Sequence, residues 1–252
     1  IKRLDPESTL DLETIPVDDA PTFRLFQEGR TDAIFQFESR GMRDLLVQSK
    51  PTRLEDLIAL NAMYRPGPME LIPTYIARKT GKERTEYLDP RLEPILADTC
   101  GIMAYQEQVM QIAQVIAGYS LGGADLLRRA IGKKKAEEMA QQRDIFTAGA
   151  LERGMKERIA TELFDQIEKF AGYGFNKSHS AAYAWIAYQT AYLKVHYASA
   201  FMAANLSATM DDSDKVRQFY VDAHANGLAF LPPDVNASEY RFVPVDDTTI
   251  RY

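Results

Sequence analysis

The chain has 252 residues, 46% of them hydrophobic and 26% charged, with a formal net charge of −6. That composition is globular and permits a sizeable core, so stability requires neither disulfides nor a metal. The one cysteine, Cys100, excludes an intramolecular disulfide and fits a reducing compartment, so a cytoplasmic location is expected.

Residues 1–30 are mixed and proline-bearing, with a short helix expected near Ala20–Gln27. Residues 33–37 (Ala-Ile-Phe-Gln-Phe) read as one short strand. Ser39 can cap a helix carrying Met42, Leu45 and Leu46. Thr52 to Glu55 has the spacing of a capping box, followed by Leu57 and Ile58 on one face. Tyr64-Arg65-Pro66-Gly67-Pro68 should end that helix, because proline removes a donor and restricts the residue before it. Residues 80–101, with Pro90 and Pro94, read as loop.

From Tyr105 the helical period is clear: Val109, Ile112, Ala113 and Ile116, with Gly118 as C-cap. Further helices are predicted over 122–131, over 137–153 with Gly154 as its stop, and along Ile159, Leu163, Ile167 and Phe170, closed by Gly172. A long aromatic helix follows over 180–197, too short in its weakly charged part to span a bilayer. Asp211 to Asp214 suit a helix N-terminus, ahead of Val216, Phe219, Tyr220 and Ala223. Leu231-Pro232-Pro233 reads as a linker, and 240–252 as a hairpin around Asp246-Asp247. The start at Ile1 and the end within a strand-like run lead us to expect a fragment.

Arg128, Arg129, Lys133, Lys134 and Lys135 place five cations in eight positions of an acidic chain. Arginine offers a planar fork of donors suited to phosphate oxygens. Neighbours on a helix point about 100° apart, so they can address different oxygens of one polyphosphate. Gly132 allows close backbone approach. The competing reading is a solvated face, with Asp125 pairing Arg128 or Arg129 at i+3 or i+4. The segment is not a Walker A loop, because position 127 is leucine where that motif needs glycine.

In Gly172-Tyr173-Gly174-Phe175-Asn176-Lys177-Ser178-His179-Ser180, the residues Lys177, Ser178 and His179 open the aromatic helix. Free N–H groups and the dipole there favour an anion; plain capping by Asn176 or Ser178 is compatible with that. Tyr183, Trp185, Tyr188 and Tyr192 offer rings for base stacking, although an aromatic stripe at this spacing is more often core. The 64–68 turn presents Arg65. Tyr105-Gln106-Glu107-Gln108 is a polar helix start in which Glu107 can orient an arginine. His179, His196 and His224 are scattered and Cys100 has no partner cysteine, so no zinc spacing exists. The acidic runs fall at caps or turns, and no Gly-x-Ser-x-Gly elbow occurs.

Six segments in fixed order carry a family resemblance: 35–39, 64–68, 105–110, 122–135, 172–180 and 231–234. The series resembles the fingers region of the bacterial DNA polymerase III alpha family, the C-family replicative polymerases. It resembles the replicative form rather than the error-prone paralogue, because the cationic helix and the Lys177-Ser178-His179-Ser180 segment are both intact. The resemblance implies a mainly α fold: a multi-helix fingers domain over 1–230, and a linker with the start of a truncated β-containing segment over 231–252. It implies a DNA-directed DNA polymerase as the whole protein, with the incoming dNTP and template-primer DNA as substrates.

Carried over residue by residue, Arg128, Arg129 and Lys133 match the cations near the triphosphate. Lys177, Ser178 and His179 match the segment beside the nucleotide's sugar and base, which gives His179 a part in excluding ribonucleotides. Arg65, Lys134, Lys135 and Tyr183 are candidates for DNA contact or support. No catalytic residue and no metal ligand is expected in this chain. The family's Mg2+-binding aspartates belong to a palm domain upstream, so the fragment alone should be inactive. Implied partners are the other polymerase domains, the sliding clamp and the proofreading subunit, with no membrane. The alternatives are a stand-alone, non-catalytic nucleotide- or DNA-binding helical module, a helical scaffold with surface cations, and a nuclease, which the missing carboxylate cluster disfavours.

Overall fold

The computed structural model describes residues 1–133, 136–170 and 173–252, and of Lys133 and Ala136 the backbone alone. It is mainly helical, and the chain divides into two compact units: Ile1–Leu54 with Tyr183–Tyr252, and Glu55–Ala182.

Helix α1 (Ala20–Gln27) starts where Asp19 accepts the Thr22 N–H at 2.9 Å and the Thr22 hydroxyl at 2.6 Å. Helix α2 (Arg40–Ser49) is capped by Ser39, as the sequence predicts. The strand expected over 33–37 is not there. Two successive turns replace it, with Ile34 N–H bonded to Thr31 O and Phe37 N–H to Ile34 O. Thr31 Oγ1 donates to Phe37 O at 2.7 Å and closes the loop. Ala33 and Gln36 take φ values of 61° and 65°, which no strand accommodates. The apolar residues of this stretch are buried at i, i+3, as Ile34 and Phe37, and do not alternate.

Helix α3 (Leu54–Met63) ends ahead of the 64–68 turn. A 3-10 turn, Pro68–Leu71, leads into α4 (Ile72–Lys79), a helix the sequence reading did not anticipate. The expected loop over 80–101 is only partly loop. From Pro90 it becomes helical turns: Pro90–Leu92, α5 (Glu93–Leu96) and Ala97–Thr99. Pro90 and Pro94 sit in first turns, where a missing N–H costs nothing, so they start helices here instead of breaking them.

Helices α6 (Gln106–Ala117), α7 (Leu121–Lys133), α8 (Ala136–Glu152) and α9 (Glu157–Phe170) enclose one apolar cluster. Val109, Ile112, Ala113 and Ile116 face Ala124, Leu127, Phe146, Leu163 and Ile167 there. The Phe146 and Phe164 rings lie 5.4 Å apart. Gly149 permits a close crossing, since a Cβ on it would overlap the Ala117 carbonyl. Gly118 closes α6 in the left-handed region, at φ 68°.

Helix α10 (Lys177–His196) gives its first turns to the Glu55–Ala182 unit and the remainder to the other. In the latter, Ala184, Ala187, Tyr188 and Ala191 are buried. Tyr188 is therefore core: its hydroxyl donates to Pro16 O at 2.6 Å and accepts the Asp19 N–H at 3.1 Å. Trp185 stacks on it at 5.8 Å, and Tyr183 packs on Phe35 at 5.1 Å. Lys194 is buried, donates to Arg30 O at 3.0 Å and to Asp32 O at 2.9 Å, and forms an ion pair with Asp222, its Nζ 2.7 Å from Oδ2. Burial pushes its pKa down, and pushes that of Asp222 up.

Helix α11 (Ala198–Ala208), also unanticipated, is apolar nearly all round. Helix α12 (Ser213–Ala225) is capped by Asp212. The predicted hairpin is present as β2 (Val243–Asp246) and β3 (Thr249–Arg251), taking β1 as Ala229–Leu231. That first strand, read as linker at its Leu231 end, pairs parallel to β3 and gives the order β1-β3-β2.

Candidate functional site

Both groups of candidate residues with a described polar surface fall within Glu55–Ala182. The first is on α7. Arg128 places Nε 2.8 Å and Nη2 2.7 Å from Asp125 Oδ1, and Arg129 places Nε 2.8 Å from Oδ2. One carboxylate one turn back thus serves both guanidinium groups, which is the pairing the solvated-face reading anticipates. Arg128 first, then Arg129, hold the Asp125 carboxyl below the usual carboxylate range.

This pairing does not exhaust the arginines. Each guanidinium has five N–H donors, far more than half a carboxylate can accept. Two positive charges against one negative leave an uncompensated cation. The Arg129 side chain is 62% exposed and that of Arg128 is 34% exposed, so both are accessible to a polyanion. Lys133 follows on the same helix; its side chain, and Lys134 and Lys135 entirely, lie outside the described residues.

The second group surrounds the start of α10. Phe175 O accepts the Gln106 N–H at 2.9 Å, and Phe175 N–H reaches Ala104 O at 3.3 Å, joining the two segments as a single parallel bridge. From the sequence Glu107 can orient an arginine. Instead its carboxylate accepts Asn176 Nδ2 at 2.7 Å and the Lys177 N–H at 2.9 Å. The cause is the helix end itself, whose unpaired N–H groups and positive pole attract an acid.

Asn176 Oδ1 accepts the His179 N–H at 2.8 Å, so Asn176 rather than Ser178 supplies the cap. Two first-turn donors, those of Lys177 and His179, are taken by side chains. An arriving anion would therefore meet the Ser178 backbone and the exposed side chains of Ser178 and His179. Lys177 Nζ stands 5.4 Å from the centre of the Tyr105 ring and 3.9 Å from Asp98. The His179 ring meets Phe175 edge-on at 5.4 Å. Below it, the buried Ser180 hydroxyl donates to Ile58 O at 2.6 Å and ties α10 to α3.

Arg65 belongs to this second group. It donates from Nε to Ala62 O and from Nη2 to Tyr173 O, both at 2.8 Å, and lies 4.1 Å over the Phe175 ring. The structure thus gathers Arg65 and His179 on Phe175, with Lys177 over the neighbouring Tyr105 ring, whereas Arg128 and Arg129 gather on Asp125. Tyr183 falls in the other unit, against Phe35. Sequence reasoning missed the parts played by Tyr173 and Phe175, and misassigned Glu107; the partners are 108 and about 70 residues apart, and no local spacing marks them.

Among the described residues no group of three or more His, Cys, Asp or Glu side chains could hold a metal, and no helix is long and apolar enough to cross a membrane.

Residues 1–154 match the family described as the bacterial DNA polymerase III alpha subunit finger domain. The chain is 56% identical over 243 residues to the DNA polymerase III subunit alpha of Neisseria meningitidis serogroup A (strain Z2491), covering 96% of this chain and 21% of that protein. It is 56% identical over 250 residues to that of Xylella fastidiosa (strain 9a5c), covering 99% and 21%. To that of Escherichia coli (strain K12) it is 51% identical over 253 residues, covering 98% and 22%. The chain spans about a fifth of the length of the curated relatives it matches.

Proposed function

Because this chain belongs to the family of bacterial DNA polymerase III alpha subunit finger domains, we propose that it is the fingers part of a DNA-directed DNA polymerase. The whole protein joins a deoxynucleoside triphosphate to a primer 3′ end on a DNA template. Residues 1–230 form the fingers body, and 231–252 begin the next segment. In this reading Arg128, Arg129 and Lys133 hold the triphosphate, and Lys177, Ser178 and His179 line the sugar and base side.

The observation that carries the reading is the pair of accessible guanidinium groups on α7, both oriented by Asp125 and both keeping donors to spare. Guanidinium stays charged throughout the working pH range, so it needs no proton transfer to meet a phosphate. Fixed cations beside the leaving phosphates stabilise the charge that develops there as the bond breaks. Among the described residues no carboxylate cluster fits a Mg2+ site; in this reading the metal and the catalytic carboxylates belong to another part of the whole protein. Template-primer DNA, the sliding clamp and the proofreading subunit are partners of that whole, in the cytoplasm.

The test is Arg128→Ala with Arg129→Ala in the full-length polymerase, with kinetics on a primed template. We expect kcat/KM for the nucleotide to fall about a hundredfold or more, through a higher KM, a lower kcat or both. Unchanged kinetics would favour the scaffold reading. This chain alone, given magnesium and all four nucleotides, should not extend a primer.

A further inference from the structure

Arg65 has no carboxylate in contact among the described residues. Its Nε and Nη2 donate to two backbone carbonyls, and its face lies over an aromatic ring. A half-buried cation without a counter-ion is costly, and burial pushes its pKa down. The cost is met by what the side chain joins. Ala62 O closes the last turn of α3, and Tyr173 O and the Phe175 ring belong to a loop 108 residues further on. Next to Arg65, Gly67 stands at φ 100°, and a Cβ there would overlap the Tyr173 ring, so the loop is seated against the turn at a second point.

We infer that Arg65 is a positioning residue for the Lys177-Ser178-His179 segment: it locks the 173–176 loop from one side while Gln106 and Glu107 hold it from the other. The chain of contact is short. Arg65 covers one face of Phe175, and the same ring meets the edge of His179. Phe175's backbone is bonded to Ala104 and Gln106, and Glu107 receives Asn176 and the first N–H of α10. With both sides in place the loop cannot shift without breaking contacts with two separate chain segments. Without Arg65, Tyr173 O loses the Arg65 donor and the Phe175 ring its cover, while the bonds to Gln106 and Glu107 remain.

This rests on the nucleotide-binding reading of Ser178 and His179, and the experiment separates the two. Arg65→Met and Arg65→Lys are made in the full-length polymerase, with a Ser178→Ala/His179→Ala double variant alongside. Active sites are titrated, so that misfolded enzyme alters apparent kcat and not KM. Hydrogen exchange is followed in peptides covering 173–180. For Arg65→Met we expect a rise of about tenfold in nucleotide KM and faster exchange at the Phe175 and His179 amides. Arg65→Lys, which retains the charge and one carbonyl bond, should recover part of both.

A KM within about twofold of the parent for Arg65→Met, with the Ser178→Ala/His179→Ala variant raising it, overturns the inference and leaves the binding reading intact. Faster exchange in Arg65→Met with KM unmoved both there and in the Ser178→Ala/His179→Ala variant sinks the binding reading. Unchanged exchange in Arg65→Met refutes the lock directly.

Discussion

On α7, the exposed Arg129 and the partly exposed Arg128 share a carboxylate one turn away. At the end of α3, Arg65 is half-buried and binds two carbonyls and a ring. The same side chain thus serves two ends. A guanidinium paired with an exposed carboxylate is oriented cheaply and keeps its charge available, because such pairs are weak and exchange partners readily. A guanidinium bound to backbone carbonyls fixes chain segments, since its partners cannot rotate away. The first arrangement suits a ligand that comes and goes, the second a frame that must not move.

Substitutions can break or sharpen that contrast. The largest stability effect belongs to the frame. Gly67→Ala adds a Cβ at positive φ where the Tyr173 ring lies, and should destabilise by about 3 kcal/mol in denaturant unfolding. A loss below about 1 kcal/mol would mean that turn and loop are not tightly seated.

Glu107→Ala comes next. It removes the acceptor for Asn176 and the Lys177 N–H, with an expected loss of about 1 kcal/mol and fraying of the first turn of α10 by hydrogen exchange.

Asp125→Asn should do least to stability, leaving the thermal midpoint unmoved within error; a clear drop would place Asp125 with the frame. Acid offers the same comparison without mutation. The Asp125 carboxyl lies below its ordinary value of 3.8, so its contribution is complete above that pH and is lost as pH falls through the folded-state value. The Arg128 and Arg129 Nε–H signals in NMR should move in that window, while that of Arg65, bonded to a carbonyl, should not.

Much of the helical order was readable because local chemistry sets it. Ser39 and Asp212 cap as their side chains require, Gly118 stops α6, and the apolar period of α6 and α9 matches the buried faces. The misses share a cause in packing or in distant partners. Helix α11 is apolar nearly all round and offers no period. The 33–37 turns depend on a hydroxyl from Thr31. Strand β1 depends on β3, some twenty residues on. At the site, the Asp125 pairs follow from i+3 and i+4 spacing alone. The Arg65–Tyr173–Phe175 knot and the Glu107 cap join residues that nothing short of the fold brings together.

Lys194, with its ammonium group enclosed by three oxygen acceptors, has a practical consequence. Acylating reagents attack free amines, and its side chain is 4% exposed against 43% for Lys177. In a timed modification experiment read by mass spectrometry, Lys177 should acquire label early and Lys194 only when its surroundings open. The slow lysine then becomes a built-in clock for local opening of the unit that contains it.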